Sequence, residues 1–298
     1  MLRVRGHDAL SLLHNLSTQS LLDLAPGEAR MTLFCDFRGR LLHRVAVAHT
    51  SDGTLWLVRP DAPGESLAAH VDHHVFREDV QIEDVSGAWH VSESFGEGGA
   101  ATGHVIEHDG EFQIAPRTGY RIQIARIPAS AVPRDPTAAT RDDRDRSRTA
   151  GEPGRLRLGW PRDGFEIRDT FNPFEVNLGA DVHLGKGCFT GQEALMRLVT
   201  YRSVRRRLAL IEGAGETEAS RELMNDRGER VGLLTSVAPR EDAGAPPGEP
   251  PGHPWIALAV LALDFAKPGR VLRSGLDGRA SVTRVFPFES PLGRTFQL

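Results

Sequence analysis

Thiols are scarce in this chain. Of 298 residues only Cys35 and Cys188 carry one, which excludes a disulfide framework, since no more than a single bridge could form. Long apolar runs are missing as well: none approaches the ~18 residues of a membrane-spanning helix. With 40% hydrophobic and 26% charged residues, the composition is that of a soluble globular chain with room for about two domains. The opening residues, Met1-Leu2-Arg3-Val4-Arg5-Gly6-His7-Asp8, lack the continuous apolar core of a secretory signal. The expectation is a cytoplasmic protein with reduced thiols and no membrane partner. There is no surplus of positive charge either. A formal charge of -4 argues against a general nucleic-acid binder on electrostatic grounds. No Ser/His/Asp arrangement, P-loop or paired-cysteine metal motif is present. Finally, lysine is nearly absent, with Lys186 and Lys267 the only two in an arginine-rich chain.

What is present is concentrated. Lys186-Gly187-Cys188-Phe189-Thr190-Gly191-Gln192-Glu193 holds one of the two lysines and one of the two cysteines. The residues that follow read as the first turns of a helix, with Glu193 where the positive end of the dipole favours an acid. A thiol just ahead of a helix N-terminus and near an ammonium has its thiolate favoured, making Cys188 a candidate nucleophile or metal ligand with Lys186 tuning it. The competing reading is a small buried hydrophobe between turn glycines.

Asp8 to Leu22 has helical spacing of leucines with Asp8 as a possible N-cap. Three extended runs follow, Ala29–Phe34, Leu41–His49 and Leu55–Val58, joined by turn signals such as Ser51-Asp52-Gly53. A helix is expected over Gly64–Phe76, then strands at 80–85, 89–94, 104–108, 111–115 and 120–127. Helices mixed with antiparallel hairpins indicate an α+β fold. Two stretches, 133–154 and 239–254, are too polar or too proline-rich to bury much surface and read as exposed loops, the first of them mobile. Short strands after Arg207 suggest a small β-barrel. The expected division is 1–202 for an α+β region and 203–298 for the barrel domain.

Other clusters carry less. His70, His73 and His74 share a helix, but without a complete ligand set they read as a surface cluster and no metal site is expected. Arg197, Arg202, Arg205, Arg206 and Arg207, with Tyr201 among them, form the densest basic run. Ser203 to Ile211 reads as the linker and first barrel strand, where alternate arginines are expected simply to face solvent. Cys35, at a strand end, reads as a core residue.

The octapeptide at 186–193 resembles the K-G-C-(F/Y)-x-G-Q-E signature of the YgfZ-type, tetrahydrofolate-binding relatives of the glycine-cleavage aminomethyltransferase, a group that includes a mitochondrial iron–sulfur assembly factor. Pro173-Phe174-Glu175-Val176-Asn177-Leu178 resembles the preceding P-x-E-x-x-L. Gly6-His7-Asp8-Ala9, Arg38-Gly39-Arg40 and Val231-Gly232-Leu233-Leu234-Thr235-Ser236 match further elements, so the resemblance spans nearly the whole chain. It implies an aminomethyltransferase-like cloverleaf of two interleaved ferredoxin-like subdomains plus a C-terminal β-barrel, with tetrahydrofolate in a central channel. It also implies iron–sulfur client or assembly proteins as partners. By position it makes Arg157 a candidate for the folate carboxylates, with Glu175, Asn177, Gln192 and Glu193 as further candidate contacts.

One departure bears on activity. Where the transferases have N-A-x-N followed by a catalytic aspartate, this chain reads Arg59-Pro60-Asp61-Ala62-Pro63-Gly64-Glu65-Ser66, with Ser66 in the aspartate's place. A neutral hydroxyl neither stabilises a developing cation nor accepts a proton as a carboxylate does. The expectation is therefore a folate-binding helper for iron–sulfur cluster assembly or repair, with Cys188 as its working thiol. The alternative is a folate-dependent aminomethyl or one-carbon transferase in which Asp61 or Glu65 compensates.

Overall fold

The computed structural model describes residues 1–95, 103–117, 119–127, 152–215, 221–240, 254–275 and 278–293. The two expected loops fall mostly outside these residues; within them, 152–154 open a helix and Pro239, Arg240 and Pro254 border barrel strands.

The first half is built on a five-stranded antiparallel sheet of β1 (Leu2–Arg5), β2 (Ala29–Cys35), β3 (Leu41–His49), β4 (Leu55–Val58) and β5 (Gln81–Asp84), in the order β2-β3-β4-β1-β5. This sheet is buried on both faces, and β3 shows how. Val45 and Val47 pack under helices α1 (Ala9–Leu16) and α2 (Gly64–Asp72) against Leu13 and Leu67. The intervening Ala46 and Ala48 face a second sheet with Trp56, Phe112, Ile114 and Ile122. Period-two alternation puts the β-branched residues on one side and the small ones on the other, where they admit the closely packed Trp56 and Phe112 rings, 5.3 Å between centroids. The second sheet contains β6 (Trp89–Phe95), β7 (His104–His108), β8 (Glu111–Arg117) and β9 (Tyr120–Arg126), in the order β6-β9-β8-β7.

Helix α3 (152–158) and helix α4 (Gln192–Thr200) lead to the barrel. Its strands β10 (Arg206–Ala214), β11 (Glu222–Met224), β12 (Arg230–Pro239), β13 (Pro254–Ala262), β14 (Val271–Ser274) and β15 (Gly278–Val285) close in the order β10-β13-β12-β11-β14-β15. The expected α+β class with a C-terminal β-barrel is thus found. After β15 the chain returns to the body: Leu184 N–H donates to Leu292 O at 2.9 Å, and the Phe174 and Phe288 rings lie 5.6 Å apart. Among the described residues no helix is long and apolar enough to cross a membrane.

Two local expectations needed correction, and one strand had not been expected. Strand β1 was not anticipated, yet Leu2 and Val4 are fully buried between β4 and β5. Asp8 precedes α1 without a side-chain cap bond, because its carboxylate instead accepts the Asp79 N–H at 2.9 Å. That contact is possible because Gly6 turns the chain at φ 122°, where a Cβ would lie 2.0 Å from Asp79 O. The histidines of α2 are also not all on the surface. His70 turns inward, its ring 5.3 Å from that of Phe34 and 5.4 Å from that of His43.

Candidate functional site

The turn at 186–191 is docked on the last turn of α1 by a reciprocal pair. Lys186 Nζ donates to the His14 carbonyl, and His14 Nε2 lies 3.2 Å from the Lys186 carbonyl. His14 Nδ1 accepts the Leu21 N–H at 3.1 Å, which places the ring proton on Nε2 and makes it the donor. Burial, helped by the nearby Lys186 charge, holds His14 neutral by lowering its pKa. The lysine itself is half-buried, with its ammonium 5.0 Å from the Phe189 ring centre, and burial lowers its pKa to about 8. Cys188 is exposed. Gly191 then caps α4 at φ 83°, against Asp36 O of the β2–β3 turn, where a Cβ would sit at 2.5 Å. Sulfur, ammonium and helix start are therefore brought to one surface turn. Cys35, by contrast, is 1% exposed in the core, and burial pushes its thiol pKa up.

The five residues expected to contact a cofactor lie at three places: the start of α4, the 3₁₀ turn at Pro173–Val176, and α3. Gln192 Nε2 donates to Leu184 O at 3.3 Å, closing the base of the turn. Glu193 is 82% exposed and pairs with Arg197 one turn on. Glu175 is buried and fully engaged, accepting the Asn172 N–H in a capping box and a two-pronged bond from Arg206 at 2.7 and 2.9 Å. Asn177 ends that same 3₁₀ turn in the left-handed conformation, φ 61°, and among the described residues its buried Oδ1 has no hydrogen-bond partner. Arg157 lies on the exposed side of α3. The buried arginine of this helix is Arg155, two residues earlier, bonded to Glu152 at 3.0 Å and to the Trp160 carbonyl.

A polar centre that the sequence reading had missed lies among the two sheets, α3 and the barrel. Arg44 and Asp181 form a buried ion pair at 2.9 Å, and the Arg44 guanidinium stacks 3.9 Å from the Trp160 ring centre. Trp160 packs at 4.1 Å against Tyr120 and at 6.1 Å against Phe95. Tyr120 donates its hydroxyl to Glu93 at 3.1 Å, and Arg162 reaches the same carboxylate at 3.2 Å. Burial, together with the charge of Asp61, raises the Glu93 pKa, while Arg162 pulls the other way. Below this layer, fully buried Glu166 accepts from Ser236 Oγ at 2.7 Å, Thr235 Oγ1 and the Arg162 N–H, with Arg155 at 3.4 Å. That carboxylate explains the Thr235-Ser236 pair: the two hydroxyls fasten the barrel to the body.

At the edge of this centre lies the 59–66 segment. Arg59, 4% exposed, donates to His43 Nδ1 at 2.6 Å, to Ser66 Oγ at 2.9 Å and to the Pro63 carbonyl, with Asp163 at 3.5 Å. Asp61 accepts the Asp163 N–H at 2.8 Å. Burial and the Arg59 charge depress the His43 pKa to about 3, so the imidazole is a neutral acceptor. The position resembling the transferases' aspartate thus carries a hydroxyl tied to a buried cation.

Residues 1–96 match the GCVT N-terminal domain. The chain is 29% identical to a putative chloroplastic transferase of Arabidopsis thaliana over 136 residues, 46% of this chain and 29% of that protein. It is 25% identical to the aminomethyltransferase of Picosynechococcus sp., covering 93% of this chain and 80% of that protein. The same identity holds for the aminomethyltransferase of Saccharopolyspora erythraea, with coverages of 94% and 81%. The crystal structure of glycine cleavage system aminomethyltransferase T from Bartonella henselae superimposes with a TM-score of 0.70 at 17% identity, over 99% of this chain and 85% of that one. The likeness to that crystal structure shows that this chain has the aminomethyltransferase fold.

Proposed function

We propose that this protein is a YgfZ-type, cytoplasmic, tetrahydrofolate-binding helper for iron–sulfur cluster assembly or repair, in which 1–202 holds the folate, 203–298 is the barrel domain, and Cys188 is the working thiol. The observation that carries the reading is the pair Arg59–Ser66. Aminomethyl transfer passes through a cationic, iminium-like species, which a carboxylate stabilises and a fixed guanidinium opposes. At the corresponding place this chain has no carboxylate, and its serine hydroxyl is bonded to Arg59 at 2.9 Å.

The polar centre fits a folate in chemical type. The partly buried Trp160 and Phe95 offer aromatic surface to a planar heterocycle. Glu93 accepts hydrogen bonds from N–H groups; apart from this centre, on the 3₁₀ turn after Pro173, the buried Asn177 Oδ1 is a further acceptor with no partner among the described residues. When bound, tetrahydrofolate would supply a ring nitrogen and a linker nitrogen able to carry a one-carbon unit. The chain's own residues position it and shield it from water, while the thiol stands outside on the 186–191 turn. A transferase remains the second reading because Asp61, two residues from Arg59, places a carboxylate beside Glu93.

Purified protein should bind tetrahydrofolate, seen as a quench of Trp160 fluorescence that Trp160→Phe abolishes, and should not consume an aminomethylated or methylated amine. Turnover of such an amine would favour the transferase. In a strain that depends on this protein, Cys188→Ala should lower iron–sulfur enzyme activity; unchanged activity would remove the thiol from the mechanism.

A further inference from the structure

The β2–β3 turn packs on the first turn of α4: a Cβ at Gly39 would lie 2.9 Å from the Leu195 side chain, and Gly191 abuts Asp36. This contact brings Phe37 and Arg38 beside the start of α4, on the surface that also carries Cys188. Phe37 and Tyr201, at either end of the helix, are each 74% exposed, although aromatic side chains of this size are normally at least half covered. About 10 Å of helix separates them, seven residues at 1.5 Å each from Ala194 to Tyr201. Arginines surround them. Arg38 stacks 5.0 Å from the Phe37 ring centre, and neither Arg38 nor Arg202 forms an ion pair among the described residues. Arg40 and Arg206 share one carboxylate, Glu175. Arg197 is matched by Glu193, while Asp36 spends its charge on the backbone N–H groups of Arg38 and Arg40. The face keeps a positive balance in a chain whose total is -4.

We propose that this face, two exposed aromatics among uncompensated arginines beside Cys188, docks an acidic segment of a protein partner and delivers that partner to the thiol. The inference deepens the helper reading and rests on it for the thiol's role. Charge complementarity argues for the occupant: a carboxylate-bearing segment is attracted to the local surplus, and exposed Phe37 and Tyr201 supply the apolar anchors that protein interfaces favour. A nucleic acid is disfavoured because its dense phosphate charge meets a chain of negative total charge and a face interspersed with Asp36, Glu193 and Asp169.

The test reads the reaction of Cys188 with peptides carrying a 2-thiopyridyl disulfide. The Cys188 thiolate attacks the peptide sulfur, a new S–S bond forms, and 2-thiopyridine leaves and takes up a proton as the coloured thione. Buried Cys35 does not compete. A pentaglutamate probe should react about 5-fold faster than a pentaglutamine probe at low salt. In Arg38→Gln/Arg202→Asn the preference should fall below about 2-fold. Asparagine is chosen because Arg202 sits at φ 48°, a conformation asparagine tolerates. Equal reaction with small neutral dithiodipyridine shows that the variant is folded and its thiol intact. Equal rates for the two peptides in the native protein, or a preference unaltered in the variant, overturn the proposal. So does protection of Cys188 by an oligouridine at matched charge that exceeds protection by free pentaglutamate. These rates are read without iron–sulfur activity, so failure of docking is distinct from failure of the thiol's role, which Cys188→Ala reports.

Discussion

At the polar centre Arg44, Arg59 and Arg155 are each buried, and each has a carboxylate in reach: Asp181 at 2.9 Å, Asp163 at 3.5 Å, and Glu152 with Glu166. At the 186–191 turn a half-buried lysine is held by a backbone carbonyl, and the thiol two residues on is open to solvent. The contrast follows from the cost of burying charge. Inside, an unmatched ion is penalised by several kcal/mol, so guanidiniums and carboxylates come in fixed combinations suited to holding a ligand still. At the surface water supplies the solvation, and a group can change its protonation or its covalent partner without unfolding anything.

Removing one member of the centre should have the largest effect. Glu166→Ala leaves the 1%-exposed Arg155 with one carboxylate fewer and takes the acceptor from Thr235, Ser236 and the Arg162 N–H. A loss of about 3–5 kcal/mol is expected, read as a lower urea midpoint with unchanged slope. Cys188→Ala should change the stability by less than about 0.5 kcal/mol. Similar losses in the two variants would erase the distinction between the regions.

The pH dependence sharpens it. His43 and His70 have folded-state pKa values lowered by burial to about 3 and about 4 from 6.5. The unfolded chain therefore binds their protons first: stability is full above pH 6.5 and is lost as pH falls from there toward the folded values. At pH 5 His43 alone should cost roughly 2 kcal/mol, and the more exposed His70 less. His70→Phe keeps the ring contact with Phe34 and should flatten the decline of the urea midpoint between pH 7 and pH 5. A variant with the native slope would show that His70 takes up its proton while folded.

How much of this the sequence carried depends on the range of each interaction. Strand β3 was expected with its observed ends, because alternation along Leu41–His49 is a local signal bounded by turn residues. Strand β1 has the same signal in Leu2-Arg3-Val4-Arg5, but four residues are too few to stand out. The 186–193 turn was found because its residue types are rare and adjacent. The centre was not, because its bonds join residues 11, 69 and 70 positions apart for Glu166 with Arg155, Thr235 and Ser236, and nothing local marks them. Ser66 stood out only against a family pattern, and its tie to Arg59 needed the fold. Arg157 shows the remaining difficulty: two positions along a helix exchange a buried face for an exposed one, and Arg155 holds the buried one.

The smallest effect tests whether Lys186 acts on Cys188 through charge. Its pKa near 8 means that the ammonium is present below that pH and lost above it. An anionic alkylator, iodoacetate, is drawn to a thiol beside a cation, whereas neutral iodoacetamide is not, so the ratio of their rates measures the field at sulfur apart from the thiol's own ionisation. For a single partly solvated charge the ratio should exceed that of Lys186→Met by about 2- to 3-fold at pH 7 and low salt. The excess should fade as pH rises from 7 to 9, following the lysine, and should shrink in 0.5 M salt. An excess that persists at pH 9 would assign the field to the arginines of the neighbouring face, which stay charged throughout. The turn would then owe its electrostatics to the docking surface and not to its own lysine.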